Sequence, residues 1–537
     1  MFRPNESWNS TKTFGLVSSA RVPHPEVETA INPLDDYTQW KQAVSAAEGT
    51  DPSTFSVTDG FQIERLRSAG ESEGSWVSIE FDPKGRLIVG REDQGLLRMT
   101  IPPQGGELRV ETIENTLKEC RGLLYAHDSL YASANNSKGL YRLRDTNGDD
   151  QFDEVTLIYE SSGGVGHGRN DLALGPDGKI YLICGDAVDL PNNLKDHTSP
   201  FREHSQGQKS REGHVLRFNP DGTNGELVAA GLRNPYGIAF HPDGECFTYD
   251  ADAEYDMGSP WYRPTRIVHI TPGSDYGWRG VTKSWPPYYP DHADNAPPVL
   301  DIGKGSPTGV KFGTKSHFPK LYRDSLYVSD WAYGRILRVQ LTPRGASYVG
   351  RASTFLKGQP FNVTDLDFGP DGAMYVVTGG RKTQSALYRI RYVGENQTTT
   401  PPTTQELARE EHAKKSRQLR QQLEALHHPK AKNAISQAWP YLKSSDPWIR
   451  YAARIAIEHQ PLEQWKQKAL DQSETTTALT AMMALVRDPH ANSEKSIIAK
   501  FNSLPIEKLT ESQKLMALDI IRLCLQRDYA PTPTERD

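Results

Sequence analysis

His167 and Arg233 each stand just before an alternating apolar run, in Gly166-His167-Gly168-Arg169-Asn170 and Leu232-Arg233-Asn234-Pro235. A neutral imidazole, with a reference pKa of about 6.5, can take a hydroxyl proton at working pH. A guanidinium nearby stabilises negative charge as that proton leaves. Charged and amide residues recur at equivalent places. Cys120-Arg121 and Asn362-Val363-Thr364 precede such runs. Arg91-Glu92-Asp93, Gly185-Asp186, Asp250-Ala251-Asp252-Ala253-Glu254, Asp330-Trp331 and Gly380-Arg381 follow them. If these gather at one place, they need partners: each other, water or a ligand. On spacing alone, His167 also suits a plain structural role, bonding a neighbouring segment.

A second grouping stands apart. In Asp145-Thr146-Asn147-Gly148-Asp149-Asp150-Gln151-Phe152-Asp153, oxygens alternate at Asp145, Asn147, Asp149 and Asp153, as in a calcium loop. Asp150 replaces the glycine of an EF-hand and Thr156 replaces its closing glutamate. An EF-hand is therefore excluded. A single-loop calcium site and a polar turn both remain open.

The elements that must position these residues repeat. Trp76–Val89, Gly122–Tyr131, His167–Leu182, Tyr236–Phe247, Gly309–Val328 and Thr364–Val376 each read as strand, turn, strand, and several turns carry Pro-Asp-Gly or Asp-Gly. Period-two alternation with such turns predicts antiparallel sheets. Six copies predict a mainly β chain built on a six-bladed β-propeller, whose ring leaves only short edges. Loops at one mouth of the ring would then bring distant residues to one point.

Around this lie three other regions. Residues 1–55 read as an N-terminal arm, 56–395 as the propeller, 396–404 as a Thr/Pro linker and 405–537 as a small α-helical solenoid of HEAT/ARM-like repeats. Asp446-Pro447-Trp448-Ile449-Arg450 starts a helix well, because proline lacks an N–H that the first turn cannot use. Ala478 to Val486 and Leu515 to Leu525 predict further helices. A repeat surface of this kind suits protein docking.

The 62 basic and 68 acidic residues give a net charge of −6 with no basic run, which argues against a nucleic-acid partner. No apolar run reaches the ~18 residues a spanning helix needs. The amino terminus carries no apolar signal core. The four scattered cysteines form no metal-binding pair and are expected to be buried and inert.

The His167 segment with Gly175-Pro176-Asp177-Gly178-Lys179-Ile180-Tyr181, the Gly231–Phe240 segment and Asp275-Tyr276-Gly277-Trp278 resemble the soluble quinoprotein (PQQ-dependent) glucose and aldose sugar dehydrogenases. Glu254-Tyr255-Asp256 and Val363-Thr364-Asp365-Leu366-Asp367 resemble the planctomycete-type membrane-bound dehydrogenases, which pair this propeller with HEAT repeats and a cytochrome c. The resemblance implies a periplasmic or extracytoplasmic oxidoreductase acting on a carbohydrate-like hydroxyl, with a cytochrome c as electron acceptor. It implies His167 as base and Arg233 as the stabiliser of the reduced quinone. Asn234, Arg169 and Arg381 would hold PQQ, and Asp250, Asp252, Glu254 and Asp256 would hold calcium. The family grips the quinone carboxylates with an Arg-x-Arg pair before the last blade and a lysine on the fifth. Here Gly358-Gln359-Pro360-Phe361-Asn362 and Ser329-Asp330-Trp331 stand in those places. Two other functions therefore stay in play: a non-catalytic propeller that binds glycans or proteins, and a calcium-dependent lactonase-like hydrolase.

Overall fold

A computed structural model describes residues 36–102, 106–202, 211–257, 262–279, 292–293, 295–395 and 401–526. Residues 1–35 of the expected arm and 396–400 of the expected linker lie outside the described residues.

Six sheets of four or five strands form the propeller, antiparallel except where the short strand Lys195–Asp196 joins Glu226–Leu232 in parallel. The innermost strands are Trp76–Phe81, Cys120–Ala126, Arg169–Leu174, Ile238–Phe240, Pro307–Phe312 and Val363–Phe368, for blades 1 to 6. Each touches the next, and the sixth touches the first, so the ring is closed. The expected mainly β architecture with six blades is what forms. Blade 6 takes its outer strand, Phe61–Ser68, from before blade 1, and this strand pairs with Ala386–Tyr392. The ring is thereby stitched between its two chain ends.

Local chemistry explains the hairpins. In the Asp-Gly turns glycine takes the left-handed conformation, at φ +73° for Gly178 and +69° for Gly372. The preceding aspartate accepts from the backbone just beyond, as Asp177 does from the Lys179 N–H at 3.2 Å. The apolar faces of neighbouring blades then pack together, for example Phe247, Val310, Leu326 and Leu337 between blades 4 and 5. All four cysteines are buried thiols outside any disulfide, and burial pushes the Cys184 thiol up to about 12. The inert role expected for them fits that environment.

Buried carboxylates staple the inner strands of different blades. Asp365 accepts from the Ile79 N–H at 2.9 Å, Glu80 from Tyr125 at 3.3 Å and Asp171 from Ile238 at 3.3 Å. These link blade 6 to 1, 1 to 2 and 3 to 4. Lys311, on the inner strand of blade 5, faces Asp171, Glu80, Asp367 and Asp365, and they hold its ammonium well above the ordinary range despite its burial. Burial, then Asp367, pushes Glu80 up to about 7 from an ordinary 4.5. Burial also raises Asp171 and, more strongly, Asp365.

The helical region begins with Thr404–Glu424, started by a reciprocal cap between Thr403 and Glu406. Pro447–Glu458 follows, capped by Asp446 with Pro447 in its first turn. Thr475–Arg487 and Glu511–Gln526 stack beyond it, which matches the helices expected from the sequence. Arg420 on the first helix donates to both oxygens of Glu245, at 2.8 and 2.7 Å, and so clamps the helices to blade 4. His269 adds a third bond to Glu245 at 2.7 Å. Burial opposes the charged form of Glu245, but Arg420 and His269 outweigh it and hold the carboxyl low. Among the described residues no helix is long and apolar enough to cross a membrane.

Lys311→Met is expected to lower stability by about 2–3 kcal/mol, because several carboxylates lose a buried counter-charge. Between pH 4.5 and 7 the folded chain holds a proton on Glu80 that the unfolded chain releases, so this group's stabilisation falls as pH rises. The substitution should therefore depress the melting temperature more at pH 8 than at pH 5. Equal depression at both would show that the carboxylates do not depend on this lysine.

Candidate functional site

His167 sits in the loop leading into the inner strand of blade 3, and Asp186 follows that blade's second strand. The two meet, with His167 Nδ1 at 2.7 Å from Asp186 Oδ1. The other Asp186 oxygen accepts from Trp278 Nε1 at 2.7 Å. Asp186 is thus fixed from both sides and orients the imidazole through Nδ1. Nε2 is left as the nitrogen for a substrate, on a side chain that is 35% exposed.

Arg233 joins the same array. Its guanidinium lies 5.6 Å from the centre of the Trp278 ring and donates to Glu254 at 3.1 Å. Its backbone N–H and that of Asn234 both donate to Asp250 Oδ1 at 3.1 Å. Asn234 Oδ1 approaches Asn170 Nδ2 at 3.4 Å. The sequence therefore placed His167, Arg233 and Asn234 in one neighbourhood, and the fold brings them there from blades 3 and 4. The links through Asp186 and Trp278 were not read from the sequence. Asp186 stood only among the loop candidates, and its 92-residue separation from Trp278 carries no local signal.

The remaining candidates are placed otherwise. Arg169 is fully buried, and it donates to the backbone oxygens of Ser161, Ser162 and Gly164 at 2.7–2.9 Å. It braces the loop before His167 and cannot also reach a ligand at the mouth. Arg381 lies at the rim between two indoles, 5.4 Å from the centre of Trp40 and 5.0 Å from that of Trp331.

The acidic loop after blade 4 is committed internally. Asp250 accepts from Arg233, Asn234 and Ala251 N–H groups and pairs with Arg266 at 3.2 Å. Asp252 accepts from the Tyr262 hydroxyl at 2.6 Å, and burial pushes it up to about 6. Glu254 serves Arg233, and the Asp256 side chain lies outside the described residues. In the loop at 145–153, Asp145 accepts from Gly148 and Asp150 N–H groups, Asn147 from Asp149, Asp149 from Gln151 and Asp153 from Thr146. That is the self-capped polar turn. Among the described residues no three His, Cys, Asp or Glu side chains converge as a group able to hold a metal ion.

PQQ carries three carboxylates and needs cations to hold them. Asn362, at the start of the blade 6 inner strand, is 2% exposed, and neither of its amide atoms has a hydrogen-bond partner. Beside blade 5, Trp331 is roofed by Trp40, with ring centres 5.5 Å apart. A neutral amide and an indole pair meet the carboxylate end of PQQ poorly. The residues present suit a substrate hydroxyl and do not fit the full cofactor.

The sequence profile described as Glucose / Sorbosone dehydrogenase matches residues 92–389. Quinoprotein glucose dehydrogenase B of Acinetobacter calcoaceticus is 31% identical over 146 residues, covering 24% of this chain and 29% of that protein. The chain thus matches under a third of that curated relative's length. Among solved structures, the fold is similar to the PQQ-bound aldose sugar dehydrogenase of Streptomyces coelicolor, at 18% identity and TM-score 0.42, over 63% of this chain and 100% of that one. It is also similar to the calcium structure of a Trichoderma reesei carbohydrate-active enzyme of family AA12, at 15% identity and TM-score 0.48, over 65% and 99%.

A methyl group on Gly185 would lie 2.7 Å from Asn234 Oδ1 and 2.8 Å from His167 Cβ. Gly185→Ala is therefore expected to cost about 1–3 kcal/mol and to part His167 from Asp186. A melting curve and the ring N–H resonance of His167 check this. An unshifted resonance would show that the loop relaxes without moving the imidazole.

Proposed function

The chain belongs to the glucose/sorbosone dehydrogenase family, and from that premise we propose that it is an oxidoreductase acting on a carbohydrate-like hydroxyl at the mouth of the ring. The observation that carries this reading is the continuous array His167–Asp186–Trp278–Arg233. With its Nδ1–H donated to Asp186, His167 offers the Nε2 lone pair to the substrate proton. The imidazolium that results faces the Asp186 carboxylate, which stabilises it. Arg233 supplies positive charge for the substrate oxygen, and Glu254 with Trp278 holds it in place. Asn234 contributes an amide that can orient a neighbouring hydroxyl. The substrate O–H proton goes to His167, and the C–H hydrogen leaves with its electron pair to a two-electron acceptor of the quinone class supplied from outside these side chains. A cytochrome c, taking one electron at a time from the reduced acceptor, is the proposed final partner. An extracytoplasmic location is proposed on the same family footing.

The unmatched carboxylate grip favours one other reading, a propeller that binds glycans without turning them over. Added PQQ and calcium, a sugar and a dye acceptor separate the two. If the chain is an enzyme, dye is reduced, and His167→Ala lowers the rate by on the order of 10²–10⁴-fold. Asp186→Asn is expected to produce a smaller loss in the same direction. A His167→Ala rate equal to the parent's removes the base assignment. Sugar binding with no reduction in the parent chain establishes the binding module instead.

A further inference from the structure

We propose that the segment Asp36–Val44 forms the outer wall of the substrate site, with Tyr37 as the stacking platform for a second ring of a neutral oligosaccharide. This rests on the reading of the mouth as a carbohydrate site. The segment precedes every blade strand, so the wall is an addition to the ring itself.

The segment is pinned down on the mouth. Gln39–Ala43 forms a short 3₁₀ turn, and the buried Gln39 donates through Nε2 to the Ala332 oxygen at 3.0 Å. Gln384 N–H donates to the Ala43 oxygen at 2.8 Å. Trp40 stacks near Trp331, as described. Blade 5 leaves room for this contact: Gly334 lies at φ +62°, and a Cβ there would come within 2.5 Å of Gln39 Nε2. The blade 5 loop is shaped to receive the segment.

Tyr37 ends up beside the array. Its ring meets Tyr333 edge-on at 5.7 Å, yet the residue stays 40% exposed. Trp40, three residues on, carries the Arg381 guanidinium 5.4 Å from its ring centre, so the segment and the rim cation lie together. An exposed aromatic ring beside Tyr333, at the same mouth as the partly exposed Glu254 carboxylate, suits a sugar. Its C–H face lies on the ring and a hydroxyl donates to Glu254. One pyranose ring engaged by His167 and Arg233 leaves the Tyr37 end uncovered, and a second ring covers it.

The test uses the full chain with no electron acceptor added, so that binding is read without turnover. Glucose, maltotriose and cellotriose are titrated calorimetrically. At least one trisaccharide is expected to bind tenfold or more tightly than glucose. Adding Tyr37→Ala should reduce that trisaccharide-to-glucose ratio at least tenfold, and Tyr37→Phe should restore it. Glucose binding with no trisaccharide preference, or a ratio untouched by Tyr37→Ala, overturns the platform and leaves the base assignment standing. A parallel loss of both affinities shows a structural role only and also overturns it. No sugar binding at all removes this proposal together with the carbohydrate reading.

Discussion

Four carboxylates and one ammonium in the central channel set the terms for everything above them. Asp171, Glu80, Asp365 and Asp367 each lie on an inner strand, and Lys311 faces them all from blade 5. All four carboxylates reach across to a backbone N–H of a neighbouring blade. Such reach requires close strands. A Cβ on Gly122 would fall 2.6 Å from the Asn170 oxygen, and one on Gly237 would fall 2.4 Å from the Val310 nitrogen. Charge this dense in a half-buried channel would repel itself if wholly ionised. Raised carboxyl pKa values and the lysine together relieve it. The cost of loosening any one blade is therefore shared by its neighbours, and the loops at the mouth stand on a stiff base.

That stiffness is what lets the array at the mouth be assembled from blades 3 and 4. His167 and Asp186 come from one blade, while Trp278 lies beyond the third strand of the next. Their contacts are short because the strands below them cannot slide. Arg169 illustrates the division of labour. It is the cation nearest His167 in sequence, and it is spent on the loop backbone so that His167 is held.

The sequence revealed the parts of this arrangement that depend on local pattern. Six strand-turn-strand units, the Asp-Gly turns and the proline-led helix at Pro447 each announce themselves within a few residues. Pairings between distant segments do not. Nothing in Phe61–Ser68 says that it joins Ala386–Tyr392, over 300 residues away, because an edge strand reads the same whatever its partner. The carboxylates of 250–256 were ambiguous for a related reason. An aspartate that caps backbone N–H groups, as Asp250 does, has the same side chain as one that binds calcium, and only the position of its neighbours separates them. Tyr37 and Trp40 read only as part of a short helix-like run in an arm without chemistry of its own, because an aromatic in a polar arm carries no sign of what it will face.

The strand shared between the chain ends also bears on how the molecule is made. Phe61–Ser68 is synthesised before any strand of blades 1 to 4, yet its partner is the last blade strand to emerge. Until that partner has been made it is an open edge with an apolar face, the kind of surface that pairs with the wrong chain. Five blades can stack as they appear, but the circle shuts only when Ala386–Tyr392 is free of the ribosome. The closing step is thus the most non-local one, and it falls to the slow end of the folding schedule. Helper proteins that shield exposed strands would act longest on this one segment of the newborn chain.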